Sequence, residues 1–210
     1  GNNSAASFRI QEGGGITEAS SVVRHEGSGP NEARQLSPHP HAIVLSPNDK
    51  HAYVPDLGID QIVIYNFSSS EEVPLTRSQA PAVHLPPGAG PRSFAFHPTL
   101  NFAYCIMELG CTIHGFRYDG ETGTLTQIPE ANGVSTLPDG VDHIAINSTC
   151  AHIEVHPNGQ FLYGSNRGHD SIAVYSIDQS TGGIQVIEIV STDGKCPRNF
   201  KIDPSGRYLL

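Results

Sequence analysis

The sequence predicts an all-β fold: four-stranded antiparallel blades arranged as a β-propeller. Three observations predict it. One hairpin-forming phrase is written four times, beginning at His41, Arg92, Ala151 and Arg198 and turning at Pro47, Pro98, Pro157 and Pro204. Those prolines are 51, 59 and 47 residues apart, a period that marks one supersecondary unit used repeatedly. No segment carries the 3.6-residue apolar period of a long helix.

The elements follow in order. Residues 5–10 and 16–23 read as the third and fourth strands of an earlier blade, and 24–37 as a polar loop leading to the next. Each full repeat opens with a short apolar strand, at 42–45, 94–96, 153–155 and 200–202. Pro-Asn-Asp-Lys at 47–50, Pro-Asn-Gly-Gln at 157–160 and Pro-Ser-Gly-Arg at 204–207 then form tight turns. Proline presets φ at the first corner of such a turn, and Asn, Asp or Gly tolerates the second. Second strands follow at 51–55, 102–107 and 161–165. Third strands at 61–67, 112–118 and 171–177 alternate as a sheet packed against neighbours requires. Fourth strands at 81–85, 125–128 and 184–190 are weakly patterned, as outer strands exposed to solvent are. Residues 130–150 read as a long insertion, a surface loop beside the site. The expected organisation is thus an earlier blade's end and its approach loop (1–37), complete blades at 38–90, 91–149 and 150–196, and the start of another at 197–210. About four blades are represented.

Composition narrows the partners. The 210 residues carry 12 Lys+Arg against 21 Asp+Glu, a formal charge of -9, which argues against nucleic acid or an anionic membrane as general partners. A small anionic molecule remains a fitting partner wherever a few arginines gather. No apolar run approaches the length that crosses a bilayer, and no signal peptide is visible. Cys105, Cys111, Cys150 and Cys196 form no CxxC pair and read as free thiols, so a cytoplasmic location is expected. Sequons at Asn2, Asn66 and Asn147 are of the kind that arise by chance in a polar chain. Composition leaves the oligomeric state open.

Two repeat positions carry unusual chemistry. Six residues before the turn proline stand His41, Arg92, Ala151 and Arg198; ten residues after it stand Leu57, Glu108 and Arg167. In an antiparallel hairpin these positions share one end. If the first strand lines a central channel, His41, Arg92, Glu108, Arg167 and Arg198 converge at its mouth. Arginines hold a carboxylate or phosphate through paired charge-assisted bonds and stabilise a developing oxyanion. His41 or Glu108 would move a proton or activate water. Asp56 and Asn166, one position earlier in the repeat, join Arg198, His169 and His152 as candidates for binding substrate. Plainer roles stand beside these: arginines paired with acids of the next blade, a structural His41, a Glu108 that only neutralises an arginine. Asp60 and Asp170 read as turn formers, and His39, His97 and His156 as structural or solvent-facing. His152-Ile-Glu154-Val-His156 alternates along one strand face without the HExxH helical spacing, so no metal and no cofactor is expected.

Longer words carry a resemblance. They are Arg24-His-Glu-Gly-Ser-Gly-Pro, Pro38-His-Pro-His, Val54-Pro-Asp-Leu-Gly, Gly88-Ala-Gly-Pro-Arg, Met107-Glu-Leu, Ser165-Asn-Arg-Gly-His-Asp-Ser-Ile and Pro197-Arg-Asn-Phe. In these the chain resembles the lactonase family of seven-bladed β-propellers, which includes propeller-type 6-phosphogluconolactonases and fungal carboxymuconate-cyclising enzymes. The resemblance implies seven blades in the full-length molecule and a channel-mouth site on His41, Arg92, Glu108 and Arg167, with His169 and Arg198 near them. At 151–155 the family's usual Ala-Glu-Ile-His-Val is written Ala-His-Ile-Glu-Val, which puts His152 at the carboxylate's place. The implied activity is hydrolysis of an anionic sugar lactone, 6-phosphogluconolactone or a relative. The alternatives are cyclisation of carboxymuconate and a non-catalytic interaction propeller.

Overall fold

The computed structural model describes residues 3–210; Gly1 and Asn2, and with them the first sequon, lie outside the described residues. An antiparallel hairpin, β1 (Ser4–Ile10) and β2 (Ile16–Arg24), precedes three sheets. The first holds β3 (Val44–Leu45), β4 (His51–Asp56), β5 (Gln61–Phe67), β6 (Leu75–Arg77) and β7 (Val83–His84). The second is β8 (Pro91–Phe96), β9 (Phe102–Met107), β10 (Thr112–Tyr118) and β11 (Leu125–Ser135). The third is β12 (Thr149–Val155), β13 (Phe161–Arg167), β14 (Ser171–Ile177) and β15 (Ile184–Ser191), beginning one residue ahead of the expected boundary. Strands neighbour one another in the order they follow in sequence, except that β7 pairs with β5; every ladder is antiparallel, and β8 packs against both β4 and β12. The architecture is an all-β propeller of four-stranded blades.

Period-2 alternation explains why neighbouring sheets adhere. On β9, Ala103, Cys105 and Met107 face the first sheet, where they join Tyr53, Ile62, Ile64, Phe94 and Phe116 in one core. Phe102, Tyr104 and Ile106 face the other way and pack with Ile113, Ile153, Leu162 and Tyr175. A smaller core of Ala52, Val54, Val63, Tyr65 and Leu75 abuts Ala5 and Val23 of the hairpin. β4 and β9 therefore each serve two cores, and their residues are buried from end to end.

The repeat also writes its own staples. Tyr53 and Tyr104, equivalent positions, donate their hydroxyls to the carbonyls of Gly123 (2.6 Å) and Gly182 (2.9 Å) in turns of the following blade. His97 and His156 place Nε2 on the carbonyls of Gly159 (2.9 Å) and Gly206 (2.8 Å), again one blade on. Gly159 has φ of 75°, and a Cβ there would fall 2.5 Å from the His97 ring, so this turn accepts only glycine.

Four expectations change. The outer edge of the first sheet is divided, not one strand at 81–85: β6 pairs with residues 65–67 of β5 and β7 with Gln61 and Ile62. Pro81, which has no N–H to give, lies in the gap. β3 is shorter than 42–45, because the chain before it joins the sheet only through a Pro40–Asp56 bridge. Residues 130–135 are not loop; β11 continues through a bulge opposite His114, eased by Gly133 at φ 76°, and the insertion shrinks to 136–148. Residues 200–202 form a narrow hairpin closed by an Ile202–Leu209 bridge, in place of a full strand.

The His97 staple generates a pH dependence. Its Nδ1 accepts the Thr99 and Leu100 N–H groups (3.2 and 3.0 Å) while Nε2 donates to Gly159, which only the neutral ring can do. Burial accordingly lowers its pKa. An unfolded imidazole titrates near ~6.5, so this stabilisation is complete above that pH and is lost as the pH falls from there through the folded-state value. Urea unfolding between pH 7.5 and 5 is expected to show stability falling with pH, and less steeply in His97→Gln. Parallel slopes in the two proteins would refute the assignment.

Candidate active site

First-strand starts and second-strand ends do meet at one rim, as the ladders Pro91–Met107 and Thr149–Arg167 show. Two bulges there turn side chains out of the regular pleat. One lies between Pro91 and Ser93 and frees Arg92; the other lies between Cys150 and Ile153 and frees Ala151 and His152. The loops that present them are tied down by aspartates. Asp60 accepts the N–H groups of Gly88 and Gly90 (both 2.8 Å) just before Arg92, and Asp170 accepts that of Cys196 (2.8 Å) just before Arg198. Both aspartates adopt positive φ, so they form turns and anchor the next blade's approach together.

Glu108 is the centre of the arrangement. Its carboxylate is fully buried and meets three guanidiniums: Arg34 Nη1 at 2.5 Å, Arg92 Nη1 at 2.7 Å and Arg167 Nη2 at 3.1 Å. Burial alone would raise its pKa, but Arg92, Arg167 and Arg34 together outweigh burial and hold the carboxyl below its ordinary range. Its backbone is a tie as well. Glu108 N–H donates to Gly90 O (2.7 Å), and Glu108 O accepts from Cys150 N–H (3.0 Å) of the next blade.

The arginines are fixed in turn. Arg92 Nε donates to Ala151 O (2.8 Å), and its Nη1 also contacts His41 Nε2. Arg167 Nη2 donates to Cys150 O (2.7 Å). Arg198 has no hydrogen bond or ion pair among the described residues, and its charge is felt by both His41 and Arg92. His41 is exposed as a residue, yet its ring is crowded; desolvation first, then Arg92, lowers its pKa.

A hollow of about 470 Å³ opens here, lined by His41, Arg92, Ser93, His152, Arg198 and Asn199 among others. A second hollow of similar size, lined by Tyr163, Ile172, Val174, Val190, Phe200 and Leu209, is largely apolar and holds none of these charges.

The structure thus gathers His41, Arg92, Glu108, Arg167, Arg198 and His152, and it sends three other candidates elsewhere. Asp56 is fully buried and accepts from His25 Nδ1 (2.6 Å), His39 N–H (2.6 Å) and Gly58 N–H (2.9 Å), with no face left for a substrate. Asn166 is also fully buried, donating to Thr136 O (2.7 Å) and Ser171 Oγ (3.1 Å). His169 bonds Ser171 Oγ (2.8 Å) and is not on the hollow's wall. The strand His152-Ile-Glu-Val-His156 splits its polar groups: Glu154 bonds Lys201 and the Ile202 N–H (3.0 Å), and His156 staples a turn. No group of three metal-ligating side chains is gathered among the described residues.

Arg34 was not among the sequence candidates. It lies in the 24–37 loop, outside the repeat, so no equivalent position draws attention to it. Asn31 Oδ1 caps its turn by accepting the Ala33 and Arg34 N–H groups, and buried Gln35 pins the loop to Leu57 O and Asp60.

Comparison with known proteins places the fold in a family. Residues 1–210 match the family described as "Lactonase, 7-bladed beta-propeller". The 6-phosphogluconolactonase of Bacillus subtilis is 37% identical over 203 residues, 97% of this chain and 55% of that protein. That of Formosa agariphila is 33% identical over 205 residues, 97% of this chain and 56% of that protein. Among solved structures, a putative 6-phosphogluconolactonase from Bacteroides fragilis superposes with a TM-score of 0.89 at 34% identity, covering 99% of this chain and 57% of that one. The periplasmic gluconolactonase of Pseudomonas aeruginosa gives 0.89 at 28%, covering 99% and 55%. The chain spans about half the length of the curated relatives it matches.

The ion cluster makes its own prediction. Glu108→Gln leaves three guanidiniums without their counterion, and breaking a buried pair costs about 3–5 kcal/mol. Urea unfolding at pH 7 is expected to show a loss of that order, partly restored by added phosphate. A loss below ~1 kcal/mol, the level of an ordinary surface change, would mean the carboxylate does not hold the cluster.

Proposed function

Since this chain belongs to the lactonase family of seven-bladed β-propellers, we propose that its charged hollow binds and hydrolyses an anionic sugar lactone, 6-phosphogluconolactone or a close relative. One observation carries the reading. Three guanidiniums, of Arg34, Arg92 and Arg167, meet a single carboxylate, and a fourth, of Arg198, lies unpaired near Arg92, in a chain whose overall charge is -9. Positive charge concentrated against the net sign of a protein attracts an anion to that place and to few others.

The geometry divides the work. Arg198, unpaired and on the wall, is suited to the substrate's anionic group. Arg92 lines the hollow with Nε and Nη1 already engaged, which leaves Nη2 for the carbonyl oxygen. When water attacks a lactone carbonyl, charge develops on that oxygen, and a fixed guanidinium stabilises it without reorganising. Glu108 sets these arginines in place. Held ionised by three cations, it is poorly suited to giving up or taking a proton, and its part is positioning.

The test is a comparison of lactones. Phosphorylated gluconolactone is expected to turn over with a far lower KM than the unphosphorylated sugar. Arg198→Ala should raise the KM of the phosphorylated one about 10–100-fold, the worth of one charge-assisted contact, and barely move the other. Equal KM values for both lactones in the unaltered protein would remove the anionic-substrate reading. Turnover of carboxymuconate with neither lactone accepted would replace it with ring closure.

A further inference from the structure

Three groups at the rim are of the kind that moves protons, and they are not equally free. Glu108 is occupied by three guanidiniums and has no exposed surface. His41 turns Nε2, the nitrogen that would accept a proton, onto Arg92 Nη1. His152 differs. It leaves the β12 bulge for the wall of the hollow, its ring edge-on to Phe200 with centroids 4.9 Å apart. Its Nδ1 lies 3.4 Å from Ser93 Oγ, and its Nε2 has no hydrogen-bond partner among the described residues. Phe200 limits the ring's tilt and Ser93 can accept from Nδ1–H, which is how a base is aimed.

We propose that His152 is the general base of the lactone hydrolysis, taking the proton of the attacking water on Nε2. This rests on the lactone reading above and adds to it the residue that moves the proton. In the first step the water oxygen bonds to the carbonyl carbon, the C=O π pair moves onto oxygen beside Arg92, and the water proton passes to Nε2. In the second step the C=O bond re-forms and the ring C–O bond breaks. The departing oxygen takes the proton from Nε2, so neutral His152 returns, and the new carboxylic acid loses its proton to solvent. Lactone and water become hydroxy-carboxylate and one released proton.

The surroundings suit a base at neutral pH. Burial first, then Lys201 and Arg92, keep the imidazole below its usual pKa, against an opposing pull from Glu154. The charged groups facing it are Arg92 from β8, Glu154 from β12 itself, and Arg198 and Lys201 from the terminal segment. The uncharged Ser93 and Phe200 complete its contacts.

The experiment measures kcat and KM for phosphorylated gluconolactone against pH, with calorimetric binding of inorganic phosphate in parallel. His152→Gln is expected to lose about 10²–10⁴-fold in kcat, with KM and phosphate binding little changed and the acid limb of the pH profile gone. His41→Gln should keep that limb. Glu154→Gln, which still offers an acceptor to the Ile202 N–H, should move the limb to lower pH, because the carboxylate that raises the His152 pKa is removed. An active unaltered protein whose His152→Gln variant keeps kcat within about threefold, keeps its acid limb, or loses phosphate binding together with rate overturns the proposal alone. A protein that binds phosphate but opens neither lactone overturns the lactone reading, and the proposal with it.

Discussion

A buried carboxylate between three guanidiniums is the constraint on which the rest of the site depends. Three arginines cannot share so small a space unaided. Like charges a few ångströms apart in a partly dry cleft repel one another by several kcal/mol. Glu108 removes that obstacle by lying at the point where arginines from three separate elements can each reach it. It also costs desolvation, and it is retained where its own backbone ties the second sheet to the third. One residue thus joins the electrostatics of the rim to the docking of two blades.

The opposite rim is held differently. There the repeated Tyr53/Tyr104 hydroxyls and His97/His156 rings bond glycine carbonyls of the following blade's turns. These are neutral bonds in a packed setting, worth about 1 kcal/mol each, and they add to cores that already interlock on both faces of β4 and β9. The division has a physical logic. A rim fastened by neutral contacts leaves the surplus positive charge to the other rim, where Glu108 balances part of it across two blades. The aspartates at 60 and 170 extend this logic by gripping backbone N–H groups, which fixes the loops before Arg92 and Arg198 without occupying either guanidinium.

Much of this was legible from one dimension. The turn prolines located the hairpins, and hairpin geometry alone put His41, Arg92, Glu108, Arg167 and Arg198 on one rim. Asp56 and Asn166 were misread for a reason that the repeat itself contains. They precede the rim position by one residue, and a one-residue step along a strand turns a side chain to the other face. There they meet backbone N–H groups and buried hydroxyls. His169, in the following loop, satisfies itself on Ser171. Arg34 was illegible because its loop has no counterpart in the other blades, and a lone arginine among polar residues looks like any solvated one.

The amino-acid order by itself determined the blade, its repetition and the rim on which chemistry could gather, because strand alternation and proline turns are local properties of the chain. Which polar groups face the hollow was decided only in three dimensions. Two bulges swing Arg92 and His152 out of the regular pleat, and a non-repeating loop carries Arg34 across to Glu108. Neither leaves a local trace, since both depend on what the neighbouring blade offers in return.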